Sequence, residues 1–332
     1  MRRREALSLL VGSSGLALVG SLSLTGEETL TLARPLVGAL WRASETEAVT
    51  TVVATAEWLL GLLERAPALV SRSQEAAHLA AEIHLIAAIA ARHRLRLKER
   101  LYHLQQAEHY AHLTGDVLLQ RALPYYEGYS YLWTFSETGE HQPQAETALS
   151  CFQRGLASFK KGPVSPALEA SLLTGLAETS SLLQQRREAA SALAQAEASY
   201  ALVSPQHDPG YALADRPPYA VPLCRARVLL NLGQAREALS SLEESQRLYK
   251  AQWPQTNGRG LADIEPKRAA VALALVDQEL FVEALGASIE GVQRSGSHYG
   301  QAEVKQLLRQ GQARWPQARQ LAELADRIEA LA

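Results

Sequence analysis

Cysteine is nearly missing from this chain: Cys151 and Cys224 are the only two. That excludes a disulfide framework, and a four-ligand zinc site finds no cysteine pairs to use. Each falls inside an expected amphipathic helix, where a thiol serves as a small buried hydrophobe. The reducing cytoplasm suits such economy, and a cytoplasmic location is the expectation. A cationic surplus is also lacking, since 33 Lys and Arg stand against 35 Asp and Glu, a formal net charge of −2. A general nucleic-acid binder needs that surplus to displace counterions. β-Branched residues are scarce, and no run alternates with period two, so no sheet is expected.

Motifs that carry catalysis are wanting as well. There is no His-Glu-x-x-His element, no Walker loop and no dinucleotide fingerprint. The Gly296 to Gly300 stretch centres on His298 and is no serine elbow. No catalytic residue, cofactor or metal site is therefore assigned, and the chain is read as a non-enzyme. Six of nine histidines lie between His78 and His112, so metal binding has to be weighed. Glu75-Ala-Ala-His78 has the spacing of a di-iron helix element, but a second copy does not occur. His109 and His112 share a helix face, and surface histidines are the simpler reading.

What the chain does have is alanine, leucine and helical periodicity. Apolar residues make up 47%, ample for a core. They recur at three- and four-residue steps. Ser44 with Glu47 reads as a capping box opening a helix through Trp58 and Leu63, with Pro67 after its end. Further helices are expected near 74–92, 97–113, 118–135 (Pro124 marking a kink or a later start), 143–160, 166–184, 186–202, 219–231, 235–251, 264–277, 281–294, 299–311 and 316–331. Residues 1–42 are set apart as a basic and apolar segment, and 43–332 as the helical domain. Three arginines at 2–4 precede an uncharged stretch from Ala6 to Leu24, in which eight of 19 residues are Ser or Gly. A linker or pairing helix, a twin-arginine-like export signal and a membrane anchor all remain open there.

Short connections make successive helices antiparallel neighbours, and small residues then recur in register. Ala177 precedes Ala189 and Ala196; Ala226 precedes Gly233 and Ala238; Ala272 precedes Ala284. Small side chains there let two backbones approach closely. Each pair leaves an apolar face that only the next pair can cover, which makes stacking obligatory. The fold expected is an all-α superhelix of about five or six helix pairs with a capping helix at the C-terminus.

These residues resemble the tetratricopeptide repeat, best matched by Leu229-Leu230-Asn231-Leu232-Gly233-Gln234-Ala235-Arg236-Glu237-Ala238-Leu239. Nearly the whole chain resembles the helical effector region of bacterial XRE-type helix-turn-helix transcriptional regulators. Arg3-Arg4-Glu5-Ala6-Leu7-Ser8-Leu9-Leu10 is similar to the junction that follows their DNA-binding domain. Asp208-Pro209-Gly210-Tyr211 sits where relatives have a long polar loop. The resemblance implies a regulatory module that binds a protein or peptide. The chain begins at the junction, so direct DNA binding by it is not expected. Two departures stand out: Arg100 occupies a place usually held by a small residue, and the turn before Ala148 is several residues too long.

Candidate ligand contacts follow from unusual clusters. Aromatics are only 6% of the chain, yet Tyr125, Tyr126, Tyr129, Tyr131, Trp133 and Phe135 fall within one short stretch. On a helix, Tyr125, Tyr129 and Trp133 form one row and Tyr131 with Phe135 another. One row fills the core; the other either faces an inner binding surface or plugs gaps between repeats. Arg92, Arg94, Arg96, Lys98 and Arg100 straddle a turn, as a solvated corner or an anion, acidic-peptide or nucleic-acid contact, with Arg96 and Arg100 the candidates. The Pro-rich segment 203–222 brings Tyr211 and Tyr219 either to a groove or over an edge. The alternative whole-protein reading is an exported or membrane-tethered scaffold organising an envelope complex.

Overall fold

The computed structural model describes residues 26–64, 73–135, 140–159, 163–204, 206, 208–214, 217–252 and 259–330. They form fifteen helices: α1 (Gly26–Thr46), α2 (Val49–Glu64), α3 (Gln74–His93), α4 (Leu97–Thr114), α5 (Val117–Leu132), α6 (Ala145–Ser158), α7 (Pro166–Leu182), α8 (Arg186–Tyr200), α9 (Gly210–Ala214), α10 (Ala220–Asn231), α11 (Ala235–Gln252), α12 (Arg259–Leu275), α13 (Gln278–Ser295), α14 (His298–Arg314) and α15 (Arg319–Glu329). Among the described residues the only extended pairing is one antiparallel bridge between Phe135 and His141. The protein is all-α. Its helices pack in sequential antiparallel pairs, most closely α3 with α4, α5 with α6, α7 with α8, α10 with α11 and α12 with α13.

One turn geometry recurs. Leu95, Gly115, Gln184, Gly233, Val276 and Gly296 all have φ between 56° and 79°, and each stands two residues before the next helix. The left-handed residue ends one helix and reverses the chain within a few residues. Glycine takes this conformation freely, whereas a β-branched residue is strained in it. Val276 is half exposed, so its side chain offsets little of that cost. Val276→Gly is expected to raise stability by about 0.5–1 kcal/mol despite the freer unfolded chain, which urea unfolding would measure as a higher midpoint.

The small residues read from the sequence lie at helix contacts. Ala177, Ala189, Ala196, Ala226, Ala238, Ala272 and Ala284 are all buried. The tightest contact joins α5, α6 and α7, where the Phe152 ring is clamped between Gly128 and Gly175. A Cβ on either glycine would fall at 2.6 or 2.3 Å from the ring, inside van der Waals contact.

The N-terminal reading needs correction. Ser44 does not cap a helix start; it lies near the end of α1, buried, with its hydroxyl donating to the Trp41 carbonyl. The chain breaks at Glu47–Ala48 instead, and α2 follows. The expected boundary at 42/43 falls inside α1, whose Ala33, Leu36, Val37, Leu40 and Trp41 belong to the main apolar core. The basic and apolar stretch of residues 2–24 lies outside the described residues. No described helix is long and apolar enough to cross a membrane. α5 starts from an Asp116 cap and includes Pro124, but ends at Leu132, three residues before Phe135.

Sequence-distant helices also meet. α1 touches α12, and α3 touches α14. At the second junction Arg92 donates to His93 Nε2, which leaves the ring proton on Nδ1 to donate to Ser297 Oγ at 2.9 Å. Ser297 Oγ in turn accepts from the Gly300 amide and caps α14. The first and last thirds of the chain thus close on one another.

At the α3–α4 interface, His84 Nδ1 lies 2.9 Å from His103 Nδ1, so one ring donates and the other accepts. Burial first, and the His103 charge second, push His84 down to about 3. Between that value and about 6.5 the unfolded chain binds a proton that the folded chain refuses. The contribution is fully present above about 6.5 and is lost as pH falls toward 3. His78 works in the opposite sense: its hydrogen bond to Glu82 raises it against burial, a contribution lost as pH rises through the raised value. Urea unfolding at about pH 8 and about pH 5 is expected to show lower stability in acid, and His84→Gln to flatten that difference.

Candidate binding site

Helix register brings one aromatic row inward. Tyr125 and Tyr129 are one turn apart on α5, their rings 5.0 Å apart, and Trp133 follows as the C-cap residue with its ring 4.1 Å from Tyr129. Together with Tyr219, Arg92, Arg100 and Arg227 they line a partly open chamber of about 90 Å³. A single water needs ~10–15 Å³ by this measure, so the chamber has room for a group of several atoms.

Trp133 organises the cations. The guanidinium carbon of Arg92 lies 4.5 Å from the Trp133 ring centroid, and that of Arg227 lies 5.1 Å from it. Stacking of this kind fixes a guanidinium in orientation without using its N–H groups, of which Arg92 commits one to His93 and Arg227 one to Glu178. Arg227 is neutralised by Glu178, a buried carboxylate on α7 whose Oε2 lies 3.5 Å away. Burial alone would lower Arg227, but Glu178 chiefly, helped by Tyr129 and Asp263, leaves it raised. Glu178 also accepts from Trp133 Nε1 at 3.2 Å and from the Tyr129 hydroxyl at 3.4 Å.

Arg100 differs from Arg227. It is 4% exposed, and its Nη2 donates to the Tyr126 carbonyl at 3.2 Å, while its Nε has no hydrogen-bond partner. Among the described residues no carboxylate lies within ion-pairing distance of it. Burial first, and the charge of Arg92 second, push it down to about 9, so it stays cationic at neutral pH. A buried charge so poorly compensated is costly to keep.

The turn from α3 to α4 sorts the arginine run by direction. Arg94 and Arg96 both reach Glu99 at 3.1 Å on the outside, whereas Arg92 and Arg100 point inward. A cleft of about 340 Å³ lies beside the chamber and shares Arg92, Arg100 and Trp133 with it; Arg96, Leu95, Leu97 and Phe135 form its outer part.

Of the expected contacts, Tyr125, Tyr129, Trp133, Arg100, Tyr219 and, at the rim, Arg96 come together. Two do not. Tyr131 faces an outer groove beside Glu127 and Arg154. Tyr211 is buried at a separate groove with its ring 6.0 Å from His78. The segment before Tyr211 braces α7: Asp208 accepts from Ser165 Oγ and from the amides of Ala167 and Ser204. Phe135 lies off the helix, edge-on to Tyr299 at 5.1 Å.

Sequence reasoning assigned no ligand role to Glu178, Arg227, Asp263 or Tyr299, and weighed Arg92 only as a member of the arginine run. The one local signal was Glu178, a carboxylate in an otherwise uncharged stretch of α7. Both cysteines are buried, and among the described residues neither forms a disulfide. Among the described residues no three His, Cys, Asp or Glu side chains converge as metal ligands. The chain matches no protein-family model, and a comparison with curated proteins finds no similar one.

Proposed function

We propose that the chain is a binding scaffold, an α-α superhelix of tetratricopeptide type closed by α15, whose chamber and adjoining cleft receive a protein or peptide ligand. The carrying observation is Arg100, a buried cation facing a chamber beside aromatic walls and without a matching carboxylate. Folding alone would favour a small or apolar residue there. The left-handed turns and alanine contacts support the repeat reading, since α3–α4, α7–α8, α10–α11 and α12–α13 are each joined by such a turn.

In this reading the protein works by binding, with no catalytic step. The likeness to the effector region of XRE-type regulators makes it a regulatory sensor, an inference by analogy. Ligand in the chamber would bear on α3, α5 and α10 together, and α3 is also the helix that meets α14. Occupancy can thereby shift how the two ends of the chain pack.

The test is peptide selection on the full chain, with the selected peptides re-assayed on Arg96→Glu and Leu97→Glu. Both substitutions lie at the cleft rim on half-exposed or exposed side chains. The expected result is affinity weaker by at least about tenfold, or ~1.4 kcal/mol. Unchanged affinity in both would place the ligand elsewhere.

A further inference from the structure

The chamber's charge identifies what it accepts. Three cations, Arg92, Arg100 and Arg227, face it, and two carboxylates stand near them: Asp263 on its lining and Glu178 behind Arg227. Glu178 is already engaged by Arg227, Trp133 and Tyr129. The cation left without a carboxylate at ion-pairing distance is Arg100, buried and with its Nε unpartnered. A single negative charge restores neutrality, whereas a dianion would overshoot beside Glu178 and Asp263.

The walls narrow the class further. Tyr125, Tyr129, Trp133 and Tyr219 offer ring faces, and the outer cleft continues along Leu95, Leu97 and Phe135. Leu95 and Leu97 are exposed, at 42% and 38%. An anion with an apolar body fits this sequence of surfaces, because the body covers side chains that water now touches. A guanidinium edge matches a carboxylate in geometry as well as charge.

We propose that this chamber binds the carboxylate of an organic acid or of a peptide C-terminus between Arg92 and Arg100, with the apolar remainder running out along Leu95, Leu97 and Phe135. This deepens the scaffold reading by naming the ligand chemistry at the same site. Arg100 is then a residue retained for binding at the expense of the empty protein's stability.

Calorimetry and thermal unfolding of the full chain with hexanoate, and with hexanamide as its neutral match, test the idea. Hexanoate should bind and raise the Tm, and hexanamide should bind at least about tenfold more weakly. Arg100→Met should cut hexanoate affinity by a similar factor while raising the Tm of the unliganded protein. Should that variant fail to fold, Leu97→Glu carries the same test, since a negative charge beside the cleft must weaken hexanoate and spare hexanamide. A leucine-terminated tripeptide, with free or amidated carboxyl, separates the two sources: tighter binding of the free peptide than of hexanoate assigns a chain terminus, the reverse a small acid. Equal binding of hexanoate and hexanamide, or hexanoate binding indifferent to both substitutions, overturns the proposal. Peptides that still depended on Arg96 in that case would leave the scaffold intact and remove only the carboxylate.

Discussion

Phe152→Ala should destabilise the protein by about 3–5 kcal/mol, the range found for emptying a large aromatic site in a core. Phe152 is fully buried, and its ring fills the gap that Gly128 and Gly175 leave between α5 and α7. It also lies 5.2 Å from Tyr129, one of the chamber's walls. Alanine would leave a cavity that the flanking glycines have no side chains to fill. Gly175→Ala attacks the same contact from the other side by overpacking, at a cost of about 1–3 kcal/mol. The double variant should be less damaged than the sum of the two, because the smaller side chain at 152 makes room for the new methyl group. Urea unfolding followed by circular dichroism gives all three values; a loss below about 1 kcal/mol for Phe152→Ala would show that the helices are not so tightly apposed.

Glu178→Ala is expected to cost a similar amount, about 3–5 kcal/mol, for an electrostatic reason. The carboxylate, itself buried, is the charge partner of a largely buried Arg227 and the acceptor for Trp133 and Tyr129. Removing one member of a buried pair leaves the other charge without compensation. Glu178→Gln keeps an acceptor for two neutral donors, so it should cost less than alanine. An exposed pair sets the scale. Arg319 and Glu323 lie 3.3 Å apart on α15 with both side chains largely in water, and Glu323→Ala there should hardly move the unfolding midpoint. Equal effects at Glu178 and Glu323 would contradict the placement of Glu178.

The helices and their small-residue contacts were legible because both signals are local. Periodicity declares a helix within a dozen residues, and an alanine two helices away declares the next contact. Ala177, Ala189, Ala226 and Ala238 were read in this way and are buried. The end of α5 was missed for a similar reason: aromatic residues continue the helical pattern to Phe135, but the chain turns at Trp133 to cap the helix. Ser44 misled because a capping box specifies only two positions, and here Ser44 lies in the last turn of α1 while Glu47 falls at the break after it.

The chamber was half legible. Tyr125, Tyr129, Trp133 and Arg100 announced themselves by clustering and by departure from the repeat pattern. Arg100 stood where a small residue was expected, and that irregularity is the one that faces the chamber. Arg227 and Tyr299 gave no such sign, because they reach the site only through the path of the whole chain. Nothing in a window of sequence states how far successive helix pairs turn, so which distant residues meet cannot be read from it.

That closure is the central physical claim. It places α3 against α14 and holds Arg92 beside Trp133 and Tyr299. Leu95 and His298 are exposed residues on either side of the junction made by His93 and Ser297. Leu95→Cys and His298→Cys, combined and treated with a short bismaleimide, measure it directly. The account predicts an intramolecular cross-link in high yield, seen as faster migration in denaturing gels and absent from either single variant. Two cysteines that both react with maleimide and yet never join would contradict it.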